Sequence, residues 1–146
     1  MTKRLHAGAK NAFRFTAILC YCTILGAPFA AWLQYRVSRA RVTVDGNALD
    51  VRCVFKSIRL RFDEIERVGT LGVRLTAGGI AGVYARRKVG GPIATQLWIR
   101  TRAGKTRRFV VSMYEDFEAI AAEISSKVGK PLEPVAVGTF GPKWAA

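Results

Sequence analysis

Residues able to do chemistry are sought first in "GGIAGVYARRKVGG", 78–91, where five glycines bracket the basic run Arg86-Arg87-Lys88. Glycine-rich loops hold phosphates by wrapping them in backbone N–H groups while a nearby cation neutralises the charge. A nucleotide-binding loop of that kind ends in Gly-Lys followed by Ser or Thr, and this stretch does not. A dinucleotide fingerprint needs G-x-G-x-x-G between a strand and a helix. Here the glycines fall at 78, 79, 82, 90 and 91, and the flanking residues read as strands. The expectation is a tight turn or bulge in a strongly bent sheet. Asp63, Glu64 and Glu66 cluster, but the segment holding them has no histidine and no nucleophile beside a base, so they read as a turn. His6 is the sole histidine, and Cys20, Cys22 and Cys53 make neither a disulfide framework nor a metal-ligand set. No catalytic residue, cofactor, metal or small-molecule substrate is expected, and the chain reads as non-enzymatic.

What the run does offer is charge. The 146 residues carry 24 Lys and Arg against 10 Asp and Glu, a net +14. Such an excess favours anionic surroundings: lipid, nucleic acid or an acidic protein. Residues 1–14 hold four positive charges and no acid, residues 36–130 hold 19 and nine, and residues 131–146 balance. Arg86, Arg87 and Lys88, extended by Arg59 and Arg61, form a candidate basic patch for lipid headgroups or a partner. Each such residue contributes about 1 kcal/mol at an anionic surface. The plainer alternative is a solvated edge that discourages strand pairing.

Both basic regions flank "FTAILCYCTILGAPFAAWLQY", 21 residues without a charge. As one helix this run spans ~32 Å, enough for a hydrocarbon core of about 30 Å. The expectation is a single transmembrane helix at 15–36, kinked near Pro28. Trp32, Tyr35 and Arg36 would be its interface anchors. Cys20, Cys22, Gly26 and Ala27 would be a small-residue packing face inside the membrane. A cleaved signal peptide lacks its A-x-A site here, and a hairpin bending at Gly26-Ala27-Pro28 would have arms too short to span. Basic residues before and after the segment nearly tie, so orientation stays open.

From Arg41 the apolar period becomes two. Val42 and Val44 alternate, Asp45-Gly46-Asn47 turns the chain, and Leu49, Val51, Cys53 and Phe55 share one face. Ile58, Leu60 and Phe62 point inward with Arg59 and Arg61 outward, and a second hairpin turns at Ala103-Gly104-Lys105. One helix follows, with Ser112 and Glu115 as a capping box and Phe117, Ile120, Ala121, Ile124 and Val128 as its apolar stripe. The expected organisation is a basic tail at 1–14, the membrane helix at 15–36, an α+β domain at 41–130 and a flexible tail at 131–146.

Three stretches carry a family resemblance: "IRLRFDEIERV", "GGIAGVYARRK" and "LWIRTRAGKTRRFVVSMYEDFEAIAAEI". Together they resemble the bacterial pleckstrin-homology-like (bacterial PH) domains over about 90 residues. The resemblance implies a PH-like bent antiparallel sheet or barrel of about seven strands capped by one C-terminal helix. It does not extend to inositol-lipid recognition, because the matching first-hairpin loop, Asp45-Gly46-Asn47, has no basic residue. The function expected is a membrane-anchored interaction module binding a protein partner, itself or anionic lipid, at a bacterial inner membrane, with a cytoplasmic domain slightly favoured. One alternative is an accessory subunit packing through its membrane helix. Another is a tethered nucleic-acid binder, the least supported partner class because only Trp98 offers itself for base stacking.

Overall fold

A computed structural model describes residues 1–21, 26–138 and 141–144, without the side chains of 137, 138 and 141–143. The chain enters as a short strand, β1 (Thr2–Arg4), then makes two helices, α1 (Ala7–Tyr21) and α2 (Ala27–Arg39). Strands β2 (Arg41–Val44), β3 (Ala48–Arg52) and β4 (Ser57–Arg61) follow, then β5 (Ile65–Arg74) and helix α3 (Gly79–Val89). The chain ends with β6 (Ile93–Thr101), β7 (Thr106–Val110), α4 (Phe117–Val128), β8 (Glu133–Gly138) and β9 (Gly141–Trp144).

These nine strands form two sheets, β1-β2-β3-β4 and β7-β6-β5-β8-β9. The single bent sheet or barrel of about seven strands is therefore corrected. The first sheet is antiparallel throughout, and β5 ends the run by pairing with β6 and, in parallel, with β8. Local signals did place both hairpins. Val44 lies opposite Leu49 across the Asp45–Asn47 turn, and Gly104 takes a left-handed φ of 75° between β6 and β7. Val42, Val44, Leu49, Val51, Ile58 and Leu60 bury one face of the first sheet, facing Val68, Leu97 and Ile99 of the second. Ile120 and Ile124 of α4 and Phe13, Leu33 and Val37 of the first two helices complete one core.

A single transmembrane helix at 15–36 does not form. Among the described residues no helix is long and apolar enough to cross a membrane. Gly26 precedes α2 and Pro28 sits in its first turn, where its fixed φ and missing N–H favour a helix start. The two helices, 15 and 13 residues long, reach only ~22 Å and ~20 Å, and they pack on each other as a hairpin. Ala9, Ala12, Ala17 and Ala30 are buried, and these small residues let the helices and the sheet approach closely. Residues expected as a basic tail supply β1, with Arg4 opposite Arg41, and the first turns of α1.

Other local expectations also change. The glycine stretch is helix α3: Gly78 caps it in extended conformation, Gly90 closes it left-handed, and Arg86, Arg87 and Lys88 occupy the last turn, where the macrodipole favours cations. Ser112 does not cap α4. It lies in a 3₁₀ turn, Val111–Met113, and its Oγ accepts the Thr95 N–H at 3.1 Å. The last residues form β8 and β9, which Arg67 of β5 holds by a paired hydrogen bond to the Glu133 carboxylate. Gly82 is buried in α3, and a Cβ there would lie 1.8 Å from the Ala77 carbonyl oxygen. Gly82→Ala is expected to cost about 2 kcal/mol or more in urea unfolding; a loss under ~0.5 kcal/mol would show that α3 tolerates the added methyl.

Candidate functional site

The side chains named from sequence are distributed over separate elements. Arg59 and Arg61 project outward from β4, whereas Arg86, Arg87 and Lys88 lie on α3 beside α1. They form no single patch. Arg86 donates to the Ala77 carbonyl, Arg87 borders a groove between α1 and α3, and the Lys88 ammonium sits 4.4 Å from the centre of the Phe13 ring. Burial pushes the Lys88 pKa down. Cys20 packs against the core, Gly26 precedes α2, and Ala27 is its first residue. Cys22 lies outside the described residues.

Trp32 and Tyr35 are exposed on α2, where they belong to a longer surface. Phe29 stacks on Trp32 at 5.6 Å, Trp32 meets Phe55 at 6.0 Å, and Phe55 meets Phe13 at 6.5 Å between ring centres. Phe55 was expected to point inward with Leu49 and Val51. Instead a tight turn at 53–56, closed by the Cys53 N–H on the Lys56 carbonyl, buries Val54 and turns Phe55 out at 64% exposure. Arg36 fixes that turn: its Nε donates to the Val54 carbonyl at 2.7 Å and an Nη to Cys53 at 3.4 Å. The residue expected to anchor a membrane helix thus ties α2 to the β3–β4 turn.

Of the twelve large apolar side chains exposed among the described residues, ten lie on α1, α2, α3 or this turn. Phe15, Ile18, Ile80 and Val83 line the groove between α1 and α3, a space of about 740 Å³. Seven Lys and Arg occur in these three helices and no Asp or Glu, whereas α4 carries two glutamates. A second cleft, about 310 Å³, opens where α2 meets β3 and β4. Arg36, Arg39, Arg52 and Arg59 surround it with Asp50 as its one carboxylate, and Tyr35 forms its lip. The Arg39 guanidinium lies over the Tyr35 ring at 4.5 Å.

Nothing in these surfaces arranges a nucleophile with a base. His6 accepts the Ala9 N–H on Nδ1 at 3.1 Å, a helix-capping role, and among the described residues no group of three His, Cys, Asp or Glu is placed to hold a metal ion. Trp98, the one residue considered for base stacking, is buried in β6. Sequence reasoning missed Phe29, Phe55, Arg39 and Arg52. The signal for Arg52 was present, because a turn at 45–47 makes Arg41 and Arg52 face each other. Comparison of the chain with protein-family models, with curated proteins and with solved structures finds no match.

At the floor of the arginine cleft, burial pushes the Cys53 thiol up, opposed by the Tyr114 hydroxyl that donates to its Sγ at 3.6 Å. Tyr114 itself is held well above the ordinary phenol range by burial. Since folding raises the Cys53 pKa, its contribution to stability is complete below the unfolded thiol value and is lost as pH rises through the folded one. Iodoacetamide labelling of Cys53 in the C20S/C22S protein is expected to reach half its maximal rate above about pH 8.5, the free-thiol value. A midpoint at or below that value would contradict the burial argument.

Proposed function

We propose that the protein is a non-enzymatic module that lies on an anionic membrane surface, with α1, α2, α3 and the 53–56 turn as its lipid-facing side. One observation carries this reading: these three helices combine seven basic residues and no acid with most of the large apolar side chains exposed among the described residues. A soluble monomer rarely exposes a contiguous apolar patch larger than a few hundred Å². Aromatic side chains flanked by Lys and Arg are the composition of helices that lie in the bilayer interface without crossing it. The mode is peripheral. It replaces the spanning anchor, which α1 and α2 are too short to provide.

The energetics fit reversible attachment. Immersing the exposed half of a Trp or Phe contributes about 2 kcal/mol at ~25 cal/mol per Å². Each basic side chain near the headgroups adds about 1 kcal/mol, weakened by salt within a Debye length. A protein partner or a second copy could cover the same apolar surface, and the experiment separates these outcomes.

The full chain is expected to sediment with phosphatidylcholine vesicles that contain phosphatidylglycerol, less so as salt rises, and weakly with phosphatidylcholine alone. Trp32→Ala combined with Phe55→Ala should reduce binding on the order of a thousandfold. Because both side chains are exposed, the thermal melt should hardly move. The reading is overturned if the parent protein ignores vesicles and elutes as a dimer, or if the double variant binds like the parent.

A further inference from the structure

The outward face of the first sheet has an unusual charge pattern. Arg4 lies directly opposite Arg41, and Arg41 directly opposite Arg52, so three neighbouring strands place guanidinium beside guanidinium. Like charges facing each other across strands destabilise a sheet. The adjacent row, Thr43, Asp50 and Arg59, supplies one carboxylate, and Asp50 is taken by the Arg52 Nε at 3.1 Å. Among the described residues Arg4, Arg41 and Arg59 have no carboxylate within ion-pair distance. Arg59 and Arg52 both face the cleft below α2.

We infer that this cleft is a binding site for a phosphate monoester, with Arg52 and Arg59 as its principal ligands and Arg39 and Ser57 closing it. Three features select the ligand. First, four arginines and one aspartate give the cleft a formal charge of +3, and a phosphate monoester is the common biological group that brings a charge of about −1.5 to −2 on three acceptor oxygens. Second, every basic group is arginine, whose planar fork donates two parallel hydrogen bonds to a phosphate. Third, two arginines are already held in place, Arg39 on the Tyr35 ring and Arg36 on the carbonyls of 53 and 54. A phosphodiester carries only one charge and two substituents, and matches the cleft less well. The ligand is either a free phosphate or the terminal phosphate of a lipid headgroup. The lipid source rests on the proposed membrane docking, which would bring Tyr35, beside the cleft, and Phe55, on the turn that Arg36 holds, to the headgroup layer.

Two arms test this with the full chain. Inorganic phosphate titrated in solution, followed by calorimetry, is expected to bind the parent and not the R52Q/R59Q variant; no binding to the parent overturns the inference. Vesicles at matched surface charge, containing either phosphatidic acid or phosphatidylglycerol, then compare a monoester with a diester. The parent is expected to prefer phosphatidic acid by about tenfold or more. R52Q/R59Q and the charge-keeping R52K/R59K should bring that ratio towards one, while the charge-matched R102Q/K105Q on the β6–β7 turn keeps it. Equal binding of the parent to both lipids overturns the lipid assignment and leaves membrane docking intact. Binding to neither lipid with retained binding of inorganic phosphate removes the docking reading and supports a soluble phosphate ligand. Tighter, R52-dependent binding to a single-stranded oligonucleotide than to either vesicle assigns the face to nucleic acid and overturns the inference. A thermal melt of each variant within a few degrees of the parent excludes misfolding as the cause.

Discussion

The structure depends on the pairing of β1 with β2. Three residue pairs, Thr2 with Thr43, Lys3 with Val42 and Arg4 with Arg41, close residues 5–40 into a loop. Its ends are held at strand spacing, about 4.8 Å. Both ends of this helical segment are therefore anchored at the same place on the first sheet, where α1 and α2 pack on each other and into the core. Its inner side contributes Ala9, Phe13, Leu33 and Val37 to the core. Its outer side leaves Phe15, Ile18, Phe29, Trp32 and Tyr35 exposed, and that asymmetry creates the apolar surface.

Charge is sorted as firmly as hydrophobicity. The three helices on one side hold only basic residues, while acids gather at Asp63, Glu64 and Glu66 near the β4–β5 junction and on α4. Arg36 joins the two kinds of surface. Its donors are spent on backbone carbonyls of the turn that presents Phe55, and its charge adds to the cleft beside it. One side chain therefore sets the position of an aromatic group and the potential of its neighbour.

The parts of the fold legible in the sequence are those decided locally. Asp45-Gly46-Asn47 and Gly104 mark turns by their own backbone preferences, and alternation over four or five residues fixes which face is buried. The rest is decided at a distance. β1 is three residues with no periodicity of its own, and only Arg41–Thr43 make it a strand. A hydropathy count over 15–35 averages across Gly26 and Pro28, the residue that precedes α2 and the proline in its first turn. Gly78, Gly79 and Gly82 read as turn or bulge formers in a sheet, yet Gly78 caps α3, Gly79 and Gly82 lie within it, and Gly90 closes it. The capping signal at Ser112 loses to a tertiary hydrogen bond with Thr95. Of the candidate surface, Trp32, Tyr35, Arg36 and Arg59 were visible as types of residue. Phe55 was not, because the tight turn reverses the strand phase that had been extended through it.

The segment from Lys3 to His6 is also zipped to residues 113–116. Lys3 pairs with Asp116, the Glu115 N–H donates to the Arg4 carbonyl, Leu5 bridges Tyr114, and the His6 N–H donates to Met113. This gives synthesis an order. At about 5–20 residues per second, the stretch from 40 to 116 takes roughly 4–15 s to follow the hairpin out of the ribosome. A helical pair settles in microseconds. The two helices therefore spend seconds held at their base by the β1–β2 pairing alone, before residues 113–116 arrive to fasten it. During that interval the faces that Phe13, Leu33 and Val37 later bury in the core are still open to solvent.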